Sequence, residues 1–170
     1  SLAVKALLYK ETFDANIWEP ACGKGHISNE LKSNRYNVFS TDIADYGYQD
    51  KKLDFLSKES EEYNNKFDII TNPPYKYAES FCIRAISLCK NKVAMLSRIL
   101  FVEGINRYRN LFSLYPPKVV YVFTWRVQIA KNADFEKYTG GSAQGYAWFV
   151  WEKGYVGETL LRWLEPELRG

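Results

Sequence analysis

The order of its apolar segments constrains the fold of this chain more than any other feature. Strand-like runs rich in β-branched and aromatic residues alternate with segments whose apolar residues recur at helical spacing. This alternation predicts an α/β fold, because successive parallel strands need a crossover that is usually helical. The predicted strands are residues 15–21, 37–42, 52–55, 67–71, 93–96, 119–123 and 146–151. The predicted helices are residues 2–7, 26–34, 78–89 and 105–115, and a C-terminal helix with Leu160, Leu161, Leu164 and Leu168 on one face.

The length of 170 residues suits one compact domain that covers residues 1–170. No apolar run approaches the roughly 18 residues that a membrane-spanning helix needs. Residues 1–5 lack the long apolar core of a secretory signal. We therefore expect a cytoplasmic protein with no membrane partner.

Charge and cysteine content narrow the range of partners. The net charge of +3 permits a nucleic-acid partner without demanding one, because such partners usually leave a stronger basic footprint. Cys22, Cys82 and Cys89 form no Cys-x-x-Cys motif, and His26 is the single histidine. This set predicts neither a metal site nor a disulfide framework, so we interpret the cysteines as small core residues.

A glycine-containing turn follows the first predicted strand. Within residues 17–25, Gly23 and Gly25 let the backbone pass close to a bound ligand before a helix begins. Asp42 ends the next strand, where a carboxylate can accept hydrogen bonds from both ribose hydroxyls of an adenosine-containing cofactor. Together these residues predict a cofactor site at this end of the sheet.

The same turn discriminates between two classes of cofactor. A nicotinamide dinucleotide site favours Gly-x-Gly-x-x-Gly, but the third glycine position is Ser28 here. Glu19 adds negative charge near the turn, which suits the cationic amino-acid end of S-adenosylmethionine better than a pyrophosphate. The residues therefore favour S-adenosylmethionine.

The segment Asn72-Pro73-Pro74-Tyr75 directly follows the fourth predicted strand. Its prolines make the turn rigid, which matters when a reacting amine must be held in line with a methyl group. The side-chain carbonyl of Asn72 and the backbone carbonyl of Pro73 can converge on one amino group. Tyr75 offers a flat face on which a base or a planar amide can stack. The four residues therefore predict the reaction centre of an amino-methylating enzyme.

Two basic residues are candidates for substrate contacts. Polarity alternates over residues 124–128, so the sixth strand is predicted to continue past the sheet as a projecting arm that carries Arg126. Lys131 lies in the longest segment without an assignment, which ends at Gly145, and long loops in compact domains are often functional. We expect both residues to contact the substrate.

These motifs resemble those of the Rossmann-like amino-methyltransferases, and especially the DNA adenine-N6 methyltransferases. The run Glu19-Pro20-Ala21-Cys22-Gly23-Lys24-Gly25 looks like their methyl-donor motif, and Asp42, followed by Ile43, falls at their ribose-binding acid. Asp54-Phe55 looks like the pair in which the Asp bonds the adenine amino group of the donor and the Phe packs on its ring. Asn72-Pro73-Pro74-Tyr75 matches their catalytic motif, and Asn72 also belongs to their cofactor site.

The resemblance covers residues 15–153 and implies a three-layer Rossmann-like fold. Its sheet has seven strands and is mostly parallel, with the last strand, which residues 147–152 resemble, running antiparallel. The implied reaction moves a methyl group from S-adenosylmethionine to the exocyclic N6 amine of adenine in DNA, without a metal. Only residues 1–10 correspond to the segment that usually precedes the donor motif, and we find no room for a target-recognition domain, so a specificity subunit is a candidate partner.

Three other functions remain open at this stage. The Asn-Pro-Pro-Tyr motif also occurs in relatives that methylate RNA bases or a protein glutamine. A non-catalytic remnant that binds the donor or a nucleic acid would keep the same fold, although the intact Asn72 and Tyr75 argue against it. A nucleotide-binding oxidoreductase is disfavoured by Ser28 and by residues 72–75.

Overall fold

The computed structural model describes residues 1–129 and 145–166 of the chain. Within these residues one sheet is flanked by helices. The helices are α1 (Leu2–Lys10), α2 (His26–Ser33), α3 (Ala78–Leu88) and α4 (Ile105–Arg107), which continues as a π-helical turn over Tyr108–Phe112. The strands are β1 (Asn16–Glu19), β2 (Asn37–Asp42), β3 (Lys51–Lys52), β4 (Asp68–Thr71), β5 (Lys92–Arg98), β6 (Val119–Phe123), β7 (Tyr146–Glu152) and β8 (Leu160–Leu164).

The strands follow the order β3-β2-β1-β4-β5-β7-β6-β8 across the sheet. β7 runs antiparallel to its neighbours β5 and β6, whereas the other pairs are parallel. One register row runs from Thr71 through Met95 and Phe149 to Val120. Because the remaining strands point the same way, their carboxyl ends meet at one edge of the sheet.

Helices cover both faces of the sheet, which explains why its central strands are apolar on both sides. On the face of α1 and α2, Leu7 and Leu31 pack in a cluster with Trp148. On the face of α3, Phe81 packs in a second cluster that contains Phe149. Trp148 and Phe149 are consecutive in β7 and so point to opposite faces. Each fully buried side chain of this size contributes about 1.5–3 kcal/mol to folding.

The structure confirms the predicted three-layer α/β fold and the antiparallel strand between two others. The sheet has eight strands rather than seven. β2 and β6 have the predicted bounds, and the predicted strands 15–21, 67–71 and 93–96 differ from β1, β4 and β5 by a few residues at their ends. The third prediction, residues 52–55, was wrong in extent. β3 ends at Lys52 because the chain then turns inward and buries Leu53 and Phe55.

The predicted C-terminal helix is wrong, because residues Leu160–Leu164 form the additional strand β8. β8 pairs in parallel with β6, from Leu160 opposite Val119 to Leu164 opposite Phe123. Only Leu164 of the strand is buried, so the leucines provide no helical stripe for the core. The backbone ladder along the edge of β6 therefore outweighs a weak helical spacing. Leu168 lies outside the described residues.

Two further segments differ from their predicted form. The sixth strand ends at Phe123 and does not continue as a projecting arm. Trp125 packs edge-on against Phe123, with ring centroids 5.0 Å apart, and Val127 is buried, so this segment folds back onto the core. In the predicted helix 105–115, the helical turns end at Phe112, and of the predicted apolar face only Leu111 is fully buried.

Candidate active site

The candidate site lies where the chain order of the sheet reverses. The chain passes outward from β1 to β2 and β3, and then crosses back to place β4 on the other side of β1. In open α/β sheets the loops after two such strands diverge and leave a crevice in which ligands bind, so strand order predicts the crevice between the loops that follow β1 and β4. The turn around Gly23 follows β1, and Asn72 follows β4, so the fold brings the two predicted motifs to this point.

The two glycines of the turn have different structural roles. Both adopt positive φ, +52° at Gly23 and +88° at Gly25, a region that favours glycine. A Cβ atom on Gly23 would point into open space, as a close ligand approach requires. A Cβ atom on Gly25 would come within 2.3 Å of the Tyr48 ring. The space at Gly23 leaves room for its predicted role beside a ligand, which stays a prediction. At Gly25 a packed tyrosine excludes a side chain, which the sequence motif did not indicate.

Asp42 holds the turn from the end of β2. Its Oδ2 accepts a hydrogen bond from the backbone N–H of Gly23 at 2.9 Å, and its Oδ1 accepts one from the N–H of Ala44 at 3.0 Å. A carboxylate has about four acceptor positions, so two remain for a ligand at this half-buried side chain. The next residue, Ile43, is exposed at the same edge.

Glu19 does not present a negative charge to the crevice, contrary to the sequence interpretation. The residue is only 1% exposed, and its Oε1 accepts hydrogen bonds from the N–H and hydroxyl of Ser28 at 3.2 and 2.8 Å. Its Oε2 accepts one from the Thr71 hydroxyl at 3.0 Å. Burial raises the pKa of Glu19 to about 8, although these hydrogen bonds oppose the rise. Glu19 therefore joins β1, α2 and β4 beneath the turn.

The other residues of the donor motif are largely buried. Pro20 and Cys22 are buried, whereas Ala21 is half-buried. The N–H of Cys22 donates to the carbonyl of Thr41 at 3.0 Å, which joins the turn to β2. These residues fix the path of the backbone, and their side chains do not line an open surface.

The pair Asp54-Phe55 is divided between surface and core. Asp54 is exposed, and its Oδ1 accepts a hydrogen bond from the N–H of Leu56. Phe55 is only 1% exposed and packs against Trp18 and Phe81, each with ring centroids 5.0 Å away. The expectation that Phe55 packs on the adenine ring is therefore wrong for this conformation. Phe55 anchors the loop that presents Asp54.

The Asn-Pro-Pro-Tyr segment leaves β4 at the crevice. Pro73 is buried, while Pro74 and Tyr75 are exposed, and the N–H of Tyr77 closes a turn on the carbonyl of Pro74 at 2.9 Å. Asn72 is half-buried, and its side-chain amide has no hydrogen-bond partner among the residues that the structure describes. An amide placed this way is available to a bound ligand.

Tyr75 has a cationic neighbour that the sequence analysis missed. The guanidinium carbon of Arg98, the last residue of β5, lies 4.4 Å from the centre of the Tyr75 ring. Tyr75 is nevertheless 73% exposed. The sequence shows a basic residue at the end of a buried strand, but it does not show that this strand is the neighbour of β4.

The structure describes only Arg126 of the two basic residues that the sequence predicts to bind the substrate. Arg126 is exposed in the segment that folds back after β6, rather than on an arm. Lys131 lies outside the described residues. Their contact with a substrate stays a prediction.

The cysteines and the metal-ligand types form no chemical centre within residues 1–129 and 145–166. Cys22, Cys82 and Cys89 are buried with free thiols, in agreement with their interpretation as core residues. Burial raises the pKa of the Cys22 thiol to about 12, which disfavours a thiolate. Over the same residues, no three His, Cys, Asp or Glu side chains are grouped closely enough to hold a metal ion.

Several solved structures that share this fold are described as methyltransferases. A protein from Agrobacterium tumefaciens assigned as an O-methyltransferase has a TM-score of 0.68 and 13% identity, covering 96% of this chain and 85% of its own. A modification subunit assigned to a type I restriction enzyme of Vibrio vulnificus has a TM-score of 0.62 and 14% identity, over 93% of this chain but 44% of its own. A SAM-dependent O-methyltransferase from Thermotoga maritima has a TM-score of 0.55 and 12% identity, covering 92% and 66%.

The chain has the Rossmann-like methyltransferase fold. The low identities extend this conclusion to the fold alone. No protein-family model and no curated protein sequence matches the chain. Within the described residues, no helix is both long and apolar enough to cross a membrane.

Proposed function

We propose that the protein transfers a methyl group from S-adenosylmethionine to the exocyclic N6 amine of adenine in DNA. The observation that carries this proposal is the position of residues 72–75 at the carboxyl end of β4, beside the glycine turn that follows β1. The methyltransferase fold supports the choice of donor. The Asn-Pro-Pro-Tyr sequence, with an available Asn72 amide and an exposed Tyr75, supports a planar amino group as the acceptor.

The described residues fit a methyl donor at the crevice. Open space above Gly23 admits a ligand against the backbone, and the spare acceptor positions of Asp42 suit ribose hydroxyls. Exposed Ile43 offers apolar surface to an adenine ring, and exposed Asp54 offers an acceptor to its amino group. Asn72 borders this space from β4. Bound here, S-adenosylmethionine supplies an electrophilic methyl group, whose bond to sulfur breaks with its electron pair left on sulfur as the bond to the acceptor nitrogen forms.

Asn72 and Pro73 orient the acceptor amine. The nitrogen lone pair of adenine N6 is delocalised into the ring, so the amine is a weak nucleophile. Two carbonyl acceptors, from the Asn72 side chain and the Pro73 backbone, hold the two hydrogens and favour a more tetrahedral nitrogen. This interaction strengthens as the new bond forms and therefore lowers the barrier. The displaced proton leaves to water.

Tyr75 provides the surface for the acceptor base. In duplex DNA the adenine must leave the helical stack, which costs a few kcal/mol. Stacking on an aromatic side chain returns about 1–3 kcal/mol of this cost. The exposed ring of Tyr75, held next to Asn72 by two prolines, places such a base beside the donor.

The proposal is tested by comparing methyl transfer to three classes of substrate. Labelled S-adenosylmethionine is offered to DNA, to RNA and to a glutamine-containing protein in parallel, and modified nucleosides or peptides are identified by mass spectrometry. We expect N6-methyladenine from DNA, and none from Asn72→Ala. Methyl transfer to RNA or protein alone would replace the DNA assignment. Donor binding without transfer to any of the three would indicate a non-catalytic protein.

A further inference from the structure

Among the described residues, Arg98 is the charged side chain that lies over the ring of Tyr75, the proposed stacking residue. It ends β5, two strands from β1 and next to β4, so its backbone is fixed by the sheet. On the β7 side Arg98 is in register with Tyr146. Ser97, which precedes it, is buried. The side chain therefore projects from a rigid base at the edge that carries Asn72.

The guanidinium covers a single face of Tyr75. Its central carbon lies 4.4 Å from the ring centroid, a distance typical of a cation–π contact. With one face covered and 73% of the residue still exposed, the opposite face of the ring is open. A base on that face would produce a stack of base, tyrosine and guanidinium, with the cation about 8 Å from the base if stacked layers are roughly 3.5–4 Å apart.

Arg98 also limits the freedom of the tyrosine. Prolines fix the backbone before Tyr75, but they do not fix the rotation of its exposed side chain. Contact with Arg98 selects one orientation before a substrate arrives, so less conformational entropy is lost when a base stacks.

The charge of Arg98 has no partner among the described residues. None of the ion pairs within residues 1–129 and 145–166 includes Arg98, and its side chain makes no hydrogen bond there. A guanidinium has five N–H donors in a planar fork that matches a phosphate. Arg98 thus combines an aromatic contact on its face with N–H donors that bind no other residue within 1–129 and 145–166.

We propose that Arg98 is a positioning residue of a nucleic-acid subsite: it holds Tyr75 for the target base and binds a backbone phosphate of the strand that carries this base. The inference rests on the proposed function and deepens it. A protein glutamine carries no phosphate and would leave the donors of Arg98 unused, so nucleic acid is the favoured substrate class.

The test uses a single-stranded DNA oligonucleotide with one 2-aminopurine in place of adenine, because its fluorescence reports stacking without turnover. Wild type is compared with Arg98→Gln and Arg98→Lys at several salt concentrations. For Arg98→Gln we expect affinity to fall about tenfold and the slope of log Kd against log salt to decrease by about one. Quenching of 2-aminopurine at saturation should also decrease. Arg98→Lys should retain the salt slope but lose part of the quenching.

Lys10→Gln is the matched control. The Lys10 ammonium lies 5.4 Å from the ring of Tyr9, which is also strongly exposed, and α1 ends there near the amino end of β5. This variant removes an equal charge from a similar contact at the opposite edge of the sheet. Its oligonucleotide affinity and quenching should equal those of wild type. A second control replaces the linkages flanking 2-aminopurine with neutral methylphosphonates, which should abolish the difference in salt slope between wild type and Arg98→Gln but leave the difference in quenching.

The outcomes separate this inference from the proposed reaction. If adenine is methylated but Arg98→Gln changes neither affinity, salt slope nor quenching, Arg98 has no such role. If the oligonucleotide does not bind, or if only a protein substrate is methylated, the subsite is also refuted. If binding depends on Arg98 but no adenine is methylated, the subsite stands and the proposed reaction fails. In steady state, Arg98→Gln should raise KM about tenfold and change kcat much less.

Discussion

Asn72 is the single residue whose replacement tests the proposed chemistry most directly. Its amide has no partner among the described residues, so Asn72→Ala removes no observed side-chain hydrogen bond and should fold. We expect single-turnover methyl transfer to fall at least about a hundredfold, as for the loss of one oriented group in a transition state. Donor affinity, measured by calorimetry, should change little. Asn91→Ala, at an exposed position on the opposite edge of the sheet, should keep the parent rate.

Asp42 is a second residue whose replacement tests the donor site. Two replacements compare its proposed role in binding the ribose with its observed hydrogen bond to the turn. Asp42→Ala removes acceptors for the ribose and also for the Gly23 N–H, and should weaken donor binding by about 1.5–3 kcal/mol. Asp42→Asn keeps one carbonyl oxygen and should lose less. Isothermal titration calorimetry with both variants gives the comparison. Equal affinity for Asp42→Ala and wild type would remove Asp42 from the donor site.

Residues at strand ends could be placed at one edge of the sheet from the sequence, whereas contacts between segments that are distant in the chain could not. Asp42 and Asn72 follow apolar strands, so parallel pairing alone brings them to one edge. The burial that raises the pKa of Glu19, and its hydrogen bonds from Ser28 and Thr71, depend on segments that are distant in sequence. The contact between Arg98 and Tyr75 likewise depends on β4 and β5 being neighbours, which no local pattern reveals.

At the scale of elements, the buried strands were predicted best because both of their faces must be apolar. β6, which is mostly buried, has its predicted bounds, whereas β2 has them although only Ser40 and Thr41 of that strand are buried. β8 was missed because its side chains are mostly exposed, and its strand state comes from the ladder with β6 rather than from its own residues. The residues after Phe123 were wrongly predicted to project from the sheet. Alternation of polar and apolar residues cannot distinguish a projecting strand from a segment that packs back on the core.

The contact between the β2–β3 loop and the start of α2 gives a prediction about two elements. Gly25→Ala forces a Cβ into the Tyr48 ring at a residue with positive φ, so two penalties add. We expect a loss of about 2–5 kcal/mol, of which the backbone part is about 1–2 and the steric part about 1–3. Urea unfolding of Gly25→Ala, Tyr48→Ala and the double variant separates the backbone penalty from the steric penalty. In the Tyr48→Ala background the same glycine change should cost only the backbone part.

That cycle also tests the functional interpretation of Gly25. If a ligand rather than Tyr48 requires the glycine, the stability penalty of Gly25→Ala will be equal in both backgrounds. Donor affinity would then fall even when Tyr48 has been removed.

At the scale of the whole molecule, each edge of the sheet holds a buried carboxylate in a different environment. At the amino-terminal edge, Glu11 binds the ammonium of Lys92 at 2.9 Å and the hydroxyl of Tyr121 at 2.6 Å. Burial acts to lower the pKa of Lys92, but Glu11 and Glu152 outweigh it and raise that pKa. At the opposite edge, the hydrogen bonds that Glu19 accepts from the described residues all come from neutral donors. The molecule therefore has an ion pair at the amino-terminal edge of the sheet and, beneath the proposed reaction site, a carboxyl group whose pKa burial raises to about 8.

This difference predicts how the stability of the molecule depends on pH. Burial raises the pKa of Glu19 from its usual 4.5 to about 8 in the folded state, so between these values the folded protein holds a proton that the unfolded chain has released. The free energy of unfolding must then fall as pH rises from about 5 to about 8, by up to about 1 kcal/mol per pH unit. Glu19→Gln cannot titrate and should flatten this slope, whereas Glu62→Gln, at an exposed position, should retain it. Urea unfolding at pH 5.5, 6.5 and 7.5 measures the slope, and equal slopes for wild type and Glu19→Gln would show that Glu19 is ionised in the folded protein.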